Sequence, residues 1–200
     1  MNTNNFTILR GGADETETVK ERKKRLRLSM KKRRSENENR DLKEERLVRY
    51  ALELVGEKKS VFVYLSFSSE ATTDKLVEAL LSAGVAVYAP RVEGKEMVAV
   101  PLDEDSDFAL SDYGVREPLG EAYEGEIEAA IVPLLAVDPR GVRLGYGGGY
   151  YDKFFAKHPE TFKVGYGYEF QIVDELPEEE TDVRLNAIVT DVRVIKIRKG

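Results

Sequence analysis

The sequence predicts an α/β domain with a mostly parallel sheet flanked by helices, preceded by two N-terminal helices. From residue 60 onward, short apolar runs alternate with amphipathic segments, which is typical of the βα units that build a parallel sheet. Before them, residues 16–55 contain strong helix formers and no glycine or proline. Because 200 residues is a usual size for one domain, we expect a single domain over residues 16–200 after a disordered leader in residues 1–15.

The boundary between the two N-terminal helices is predicted by Ser35 and Glu38, which have the spacing of a capping box. The first helix is therefore expected over residues 16–34 and the second over residues 36–55. Gly56 follows the second helix, at a position where glycine commonly caps a C-terminus. We expect both helices to pack onto one edge of the sheet. Three residues recur at helical spacing and predict a buried face on the second helix: Leu47, Ala51 and Leu54.

The strands of the predicted sheet are short apolar runs rich in β-branched and aromatic residues. They are expected at residues 60–67, 85–89, 97–100, 129–137, 162–166, 187–190 and 192–197. The helices between them are expected at residues 72–83 and 149–157. Gly84 and Pro159 are expected to end these two helices, and Pro90 to close the second strand. The run at 129–137 is expected to be the central strand, and residues 103–120 to be mostly loop.

Composition excludes several kinds of chemistry. The chain has no cysteine, which excludes disulfides, thiolate metal sites and thiol catalysis. Its single histidine, His158, cannot form a multi-histidine metal site. The chain opens without a basic-then-apolar signal pattern and contains no apolar run of membrane-spanning length. We therefore expect a cytoplasmic protein with no membrane partner, and a monomer.

Charge is segregated along the chain, because ten lysine and arginine residues lie within residues 20–34 although the net charge is −6. Such asymmetry indicates an anionic partner for the basic segment: phosphate groups, nucleic acid or an acidic face of the protein itself. Like charges four residues apart, as at Lys23 and Arg27, destabilise a helix by roughly a few tenths of a kcal/mol. A bound polyphosphate or nucleic-acid backbone would relieve this repulsion. The ordinary alternative is a solvated helix face.

A glycine-rich loop is the most specific local feature. Four glycines occur within residues 145–149, directly after the apolar run and before an amphipathic segment that begins at Tyr150. Such a loop can turn its backbone N–H groups toward an anion, and the N-terminus of a following helix adds to the same site. The pattern is not a Walker A loop, because no Gly-Lys-Ser/Thr follows the required four-residue gap. It is not a Rossmann fingerprint either, because Tyr150 occupies the position of the third glycine. The alternative is a tight strand-to-helix turn.

Four charged residues near the ends of predicted strands are candidates for chemistry. Asp152 lies in the first helical turn after the loop, where it can hold Mg²⁺ with phosphate oxygens or only complement the helix dipole. Arg143 precedes the loop and is either a phosphate donor or a solvated loop residue. Glu70 follows the first strand, where open α/β sheets bind ligands, although an acid at a helix N-terminus is also ordinary. Asp182 precedes a late strand and can be a simple turn carboxylate.

The loop and its flanks resemble a known signature. Residues 143–152 read Arg-Leu-Gly-Tyr-Gly-Gly-Gly-Tyr-Tyr-Asp and follow Asp-Pro-Arg-Gly at 138–141, which resembles the motif of the 5-formyltetrahydrofolate cyclo-ligase (methenyltetrahydrofolate synthetase) family. Other family landmarks occur in the same order over residues 19–197. These are Lys-x-x-Leu-Arg at 23–27, Tyr-Leu-Ser-Phe at 64–67 followed by Glu70, Ala-Pro-Arg at 89–91 and Glu-Pro at 117–118.

The resemblance implies a three-layer α/β fold and an enzyme with a small-molecule substrate. The implied reaction converts 5-formyltetrahydrofolate to 5,10-methenyltetrahydrofolate with ATP and Mg²⁺ as cofactors and with release of ADP and phosphate, through a phosphorylated formyl group. Such a reaction depends mostly on positioning and charge neutralisation. It needs neither a cysteine nor a histidine, in agreement with the composition.

The resemblance also implies roles for individual residues. ATP would contact Lys23, Arg27, Arg143, Leu144, Gly145, Tyr146, Gly147, Gly148, Gly149, Tyr150 and Tyr151. The folate would contact Leu65, Glu70, Tyr146, Gly147, Gly148, Gly149 and Tyr150. Mg²⁺ would be held by Asp152 and Asp182, and the catalytic residues would be Arg143, Tyr150 and Asp152. Tyr146 occupies a position at which some relatives carry arginine.

Two other functions compete with the cyclo-ligase. A nucleic-acid-binding module would use the basic segment, but the net charge is negative and no aromatic residue interleaves the basic run at 19–34. An ATP-binding relative that lost its folate activity would bind nucleotide without folate. We expect no nucleic-acid partner.

Overall fold

A computed structural model describes residues 17–198 of the chain, so the predicted leader in residues 1–15 lies outside the described residues. Its helices are α1 (Val19–Ser35), α2 (Arg40–Val55), α3 (Asp74–Ser82) and α4 (Tyr150–Lys157), with a short 3-10 turn at Glu169–Gln171. Its strands are β1 (Ser60–Val63), β2 (Ala86–Glu93), β3 (Glu96–Leu102), β4 (Phe108–Leu110), β5 (Arg116–Pro118), β6 (Ala129–Pro133), β7 (Ala136–Val137), β8 (Arg143–Leu144), β9 (Phe162–Tyr166), β10 (Ala187–Val189) and β11 (Val194–Lys196). None of the helices within the described range is long and apolar enough to cross a membrane.

The main sheet has seven strands in the order β11-β10-β9-β6-β1-β2-β3. The inner pairs are parallel, and only β3 and β11 at the two edges run antiparallel to their neighbours. The expected central strand is confirmed, because β6 is the fourth strand of the seven. All five of its residues are buried, as expected for a parallel strand covered on both faces.

Helices cover both faces of the sheet and form three layers. One face packs on α2 and α3 through a core that includes Leu47, Val61 and Leu76. The other face packs on α4, where the rings of Phe62 and Phe154 stack with centroids 4.7 Å apart. The predicted fold class is therefore confirmed.

The expected position of the two N-terminal helices is wrong. The apolar stripe of α2, with Leu47, Ala51 and Val55 fully buried, covers a face of the sheet instead of an edge. This placement follows from area, because a sheet face offers a broader apolar surface than an edge strand. In α1 the only apolar residue that is fully buried is Met30, which joins Leu135, Leu144 and their neighbours beyond the ends of the parallel strands.

The capping box predicted at Ser35 is also wrong. Helix α1 includes Ser35, whose hydroxyl donates to the Lys32 carbonyl within the last turn at 2.8 Å. A reciprocal capping box occurs instead at the start of α1, between Thr18 and Glu21. Helix α2 begins only at Arg40, after the left-handed Asn39, and ends at Gly56 as predicted. Ser35 has the same sequence pattern as Thr18, but it stays within the last turn of α1, where Arg34 is hydrogen-bonded to Ser69, Leu134 and Tyr146.

Several predicted strands have different bounds. β1 stops at Val63 because the Thr73 hydroxyl accepts the Ser66 N–H at 3.2 Å and donates to the Tyr64 carbonyl at 2.7 Å, which replaces ladder bonding. Pro90 does not close its strand, because β2 continues to Glu93. Beyond Tyr88, β2 pairs only with β3, and a strand that is paired on one side tolerates proline. The run at 129–137 splits into β6 and β7. The region 103–120, expected to be mostly loop, contains the β4–β5 hairpin.

Candidate active site

A cavity of about 1290 Å³ opens beyond the carboxyl ends of β1 and β6, the position at which open α/β sheets bind ligands. Its walls come from α1, from the loop after β1, from the glycine-rich loop, from residues 179–183 and from the β4–β5 hairpin. Every site residue predicted from the sequence lines this cavity. A smaller cavity of about 380 Å³ lies between Pro159 and Lys196, and none of the predicted site residues lies in it.

The glycine-rich loop joins β8 to α4 and faces a cation from α1. Gly147 and Gly149 have φ angles of +104° and +68°, which side-chain-bearing residues rarely adopt. No side chain caps α4, so its first N–H groups remain available to a ligand. Arg27 of α1 donates from Nε to the Gly145 carbonyl at 2.9 Å. The loop is therefore more than a tight turn, because it binds Arg27 and leads directly into the uncapped N-terminus of α4.

Lys23 lies one helical turn before Arg27 and is bound to two acids. Its Nζ is 2.6 Å from Glu179 Oε2 and 2.9 Å from Asp182 Oδ2. Burial disfavours the charged form of Lys23, but the hydrogen bonds to both acids outweigh burial and raise its pKa. The basic face of α1 therefore meets an acidic segment of the protein, one of the three partners expected from the charge distribution.

Arg143 and Asp152 form a pair beneath the glycine-rich loop. The Arg143 side chain is 7% exposed and its Nη2 is 3.4 Å from Asp152 Oδ1. It also donates to the Pro133 carbonyl at 3.3 Å and lies over the ring of Tyr151. Arg143 is thus not a solvated loop residue. Asp152 accepts a further hydrogen bond from the Val183 N–H at 3.2 Å, which brings it beside the chain segment that carries Asp182.

The two predicted metal ligands both line the cavity. Among residues 17–198 there is no group of three or more acidic or histidine side chains that could hold a metal ion. Mg²⁺ is commonly bound by one or two carboxylates with phosphate oxygens, so Asp152 and Asp182 are a sufficient donor set. Asp182 Oδ2 already accepts hydrogen bonds from Lys23 and from the Glu179 N–H, so a metal ion there would share or displace these partners.

Glu70 and Tyr146 meet where the loop after β1 approaches the glycine-rich loop. Glu70 is 4% exposed, and its carboxylate accepts the Phe67 N–H at 3.1 Å. Burial raises the pKa of Glu70, against the opposing effects of that hydrogen bond, the Arg34 charge and the Tyr146 hydroxyl. Burial and the nearby Glu70 raise the pKa of Tyr146 to about 12. Leu65 is buried beside them and supplies an apolar surface.

Arg34 and Glu179 also line the cavity but were not predicted from the sequence. Arg34 is 2% exposed and its Nη2 donates to the Tyr146 hydroxyl at 2.5 Å. A signal for it was present, because Lys23, Arg27 and Arg34 recur at helical spacing on one face of α1. Glu179 carried no such signal, since only the folded chain brings it to Lys23, 156 residues away in the sequence.

Fold and cavity together define the class of protein: an α/β enzyme whose ligand site lies beyond the carboxyl ends of parallel strands. Residues 17–191 match the model of the 5-formyltetrahydrofolate cyclo-ligase family. The chain belongs to this family, as predicted from its motifs, and is an enzyme of the ligase class.

Individual relatives agree with this assignment. The 5-formyltetrahydrofolate cyclo-ligase of Escherichia coli K12 is 34% identical over 144 residues, which cover 68% of this chain and 79% of the relative. A probable 5-formyltetrahydrofolate cyclo-ligase of Caenorhabditis elegans is 32% identical, covering 70% of this chain and 76% of the relative. The NMR structure of 5,10-methenyltetrahydrofolate synthetase from Aquifex aeolicus superposes with a TM-score of 0.78 at 29% identity, covering 89% of this chain and 94% of that chain.

Proposed function

We propose that this enzyme converts 5-formyltetrahydrofolate to 5,10-methenyltetrahydrofolate and uses ATP, with release of ADP and phosphate. The observation that carries the proposal is a single cavity with two chemically different walls. One wall combines cations, a glycine-rich loop and two carboxylates; the other combines an apolar surface with a buried carboxylate. The first wall suits a nucleoside triphosphate, and the second suits a reduced pterin. The two ligands must lie next to each other for phosphoryl transfer between them.

The nucleotide subsite is assigned to Lys23, Arg27 and residues 143–151. Arg27 is already placed at the glycine-rich loop, and the free N–H groups of α4 favour anionic oxygens at the same point. Asp152 and Asp182 would hold Mg²⁺. The ion would neutralise charge on the phosphate oxygens.

The folate subsite is assigned to Leu65, Glu70 and the Tyr146–Tyr150 side of the glycine-rich loop. A carboxylate accepts hydrogen bonds only, so Glu70 suits a ring edge that presents N–H groups. Leu65 suits the apolar face of such a ring. The glycine-rich loop is shared by both subsites, which brings the formyl oxygen next to the terminal phosphate.

The chemistry explains the need for ATP, because a formamide oxygen is a poor leaving group. The formyl oxygen attacks the γ-phosphorus of ATP, the bond to the β,γ-bridging oxygen breaks, and ADP departs. N10 of the folate then attacks the activated carbon and loses its proton. The C–O bond breaks, and inorganic phosphate carries away the oxygen. Cations such as Arg27 and Lys23 hold the phosphates, and the cavity walls position N10 for ring closure.

The nucleic-acid alternative gains nothing from the geometry of α1. Lys23 and Arg34 are buried, and Arg27 is bonded to the glycine-rich loop. These cations are directed into the cavity, where a duplex backbone cannot reach them. Among the other basic residues of α1, Lys31 also lines the cavity. The exposed ones that do not line it are Lys20, Lys24, Arg25, Lys32 and Arg33.

The test is to incubate the protein with 5-formyltetrahydrofolate and MgATP and to follow the near-ultraviolet absorbance of methenyltetrahydrofolate. We expect product formation that needs both ATP and Mg²⁺, with one ADP released for each product. Binding of ATP without binding of 5-formyltetrahydrofolate would favour a relative that lost its folate activity. Binding of neither ligand would contradict the proposal.

A further inference from the structure

Arg34 is a buried cation that joins three loops at the active-site cavity. Its Nε donates to Ser69 Oγ at 3.2 Å, its Nη1 to the Leu134 carbonyl at 3.3 Å and its Nη2 to the Tyr146 hydroxyl at 2.5 Å. In the described chain no carboxylate forms a direct ion pair with it. Burial of a cation without such a pair is costly, so the position requires a compensating interaction.

Glu70 is the acid whose charge Arg34 balances, and the Tyr146 hydroxyl lies between them. This hydroxyl accepts from Arg34 and interacts with the Glu70 carboxylate, and Arg34 also donates to Ser69, the residue that precedes Glu70. Three neutral or cationic groups complete the surroundings of Glu70: Arg40 of α2, Tyr64 after β1 and Tyr151 of α4. Arg40 donates to the Glu70 backbone carbonyl instead of its carboxylate. Arg34 is therefore the cation that acts on the Glu70 side chain.

We propose that Arg34 is a positioning residue for the folate subsite. Through its charge and through the Tyr146 hydroxyl, Arg34 keeps the Glu70 carboxylate ionised and oriented to accept hydrogen bonds from the substrate ring. The inference rests on the proposed function, because the proposed substrate contains a reduced pterin ring. A pterin carries a ring N–H beside an amino group, and an ionised carboxylate can accept from both. A protonated carboxyl group would lose one of these acceptors. The charge of Arg34 opposes the burial that raises the pKa of Glu70.

Steady-state kinetics over about pH 5.5 to 9 test this role in Arg34→Met and Arg34→Lys, with Arg33→Met as the matched control. Arg33 is the adjacent, exposed arginine and lies over the ring of Phe170, away from the cavity. For Arg34→Met we expect KM for 5-formyltetrahydrofolate to rise several-fold at the acidic end of this range and to recover toward the wild-type value as pH rises, because loss of the Arg34 charge favours the protonated form of Glu70. The Kd for ATP should change by less than about twofold. Arg34→Lys keeps the charge and should keep the wild-type pH profile, and Arg33→Met should match the wild type.

Two outcomes would overturn the inference while leaving the proposed function intact. One is an active Arg34→Met enzyme with an unchanged KM for 5-formyltetrahydrofolate. The other is a pH-independent rise in KM that is equal for both substrates, which indicates a general structural role. A wild-type protein that binds ATP but not 5-formyltetrahydrofolate overturns the proposed function and this role together. If Arg34→Met does not fold, Tyr146→Phe removes the bridging hydroxyl and should give the same pH-dependent rise; an unchanged profile in that variant would overturn the inference.

Discussion

Asp152 contacts two parts of the chain at once, the Arg143 guanidinium and the Val183 backbone N–H. It is therefore both a proposed metal ligand and a link between the glycine-rich loop and the acidic segment. For Asp152→Asn, a near-isosteric change, we expect kcat to fall by at least about a hundredfold, the size of effect found when one charge-stabilising group is removed from an active site. The measurement is MgATP-dependent formation of methenyltetrahydrofolate.

The matched control is Asp174→Asn, because Asp174 is an exposed acid that does not line the cavity. This variant should turn over at the wild-type rate. Wild-type turnover in Asp152→Asn would remove the carboxylate charge of Asp152 from the mechanism.

At the scale of an element, the glycine-rich loop depends on two different properties of Gly147. Its φ of +104° disfavours any side chain, and a Cβ there would lie 3.2 Å from the Arg27 guanidinium. We expect Gly147→Ala to lower the free energy of unfolding by about 1–2 kcal/mol, because of its φ angle, and to weaken ATP binding by about tenfold, since the Arg27 guanidinium must shift away from the loop. Urea denaturation and equilibrium binding of ATP measure the two effects.

Gly94 separates the two effects. It lies in the β2–β3 turn with a φ of +62°, and a Cβ there would meet nothing within 4 Å. Gly94→Ala should therefore lose similar stability but keep the wild-type Kd for ATP. Equal loss of ATP affinity in both variants would mean that backbone strain, and not the contact with Arg27, explains the weaker binding.

Helix α1 is joined to the acidic segment by Lys23, and this link should depend on pH. A lysine with a raised pKa contributes stability that is complete below the ordinary lysine value of about 10.4 and is lost as pH rises through the raised value. Above about pH 10.4, the free energy of unfolding should thus fall more steeply in the wild type than in Lys23→Met. The difference should be below about 1 kcal/mol, because Glu179 is largely exposed.

Lys20→Met is the control for this titration, since Lys20 is exposed on the same helix. It should follow the wild-type curve in urea denaturation at each pH. A Lys23→Met curve parallel to the wild type would show that the two bonds of Lys23 do not contribute to stability.

The elements that could be predicted from the sequence are those fixed by local signals. The bounds of β9 agree with the prediction at 162–166, and α4 begins directly after the glycine-rich loop. By contrast, β1 ends early because of Thr73, and Ser35 is not a cap because α1 continues through it. The helical spacing of Arg34 with Lys23 and Arg27 indicated the face on which it lies, but its hydrogen-bond partners could not be predicted, since they lie 35, 100 and 112 residues away in the sequence. Sequence motifs predicted many of the residues that line the cavity. Long-range packing determines the others, such as Glu179.

For the molecule as a whole, stability depends on the two helical layers held against one sheet. Phe154 of α4 is 3% exposed and stacks on Phe62 of the central region of the sheet. We expect Phe154→Ala to lower the free energy of unfolding by about 3–5 kcal/mol, from lost burial and the cavity that remains. Denaturant unfolding measures the change.

Leu42→Ala serves as the comparison, because Leu42 is 62% exposed on α2. Its effect should stay within about 0.5 kcal/mol. A loss in Phe154→Ala no larger than that of Leu42→Ala would mean that the α4 layer is only loosely attached to the sheet.

The bond between Lys23 and Asp182 joins positions 159 residues apart in the sequence, and Lys23 lies on the first helix of the described chain. During synthesis on the ribosome, α1 emerges early but its partner emerges only when the last strands are about to follow. The cavity can therefore not be completed on a nascent chain that ends before residue 182, even where the β1–β2 half of the sheet has already formed. A translation arrest before residue 182 should leave a polypeptide that contains most of the fold and none of the activity.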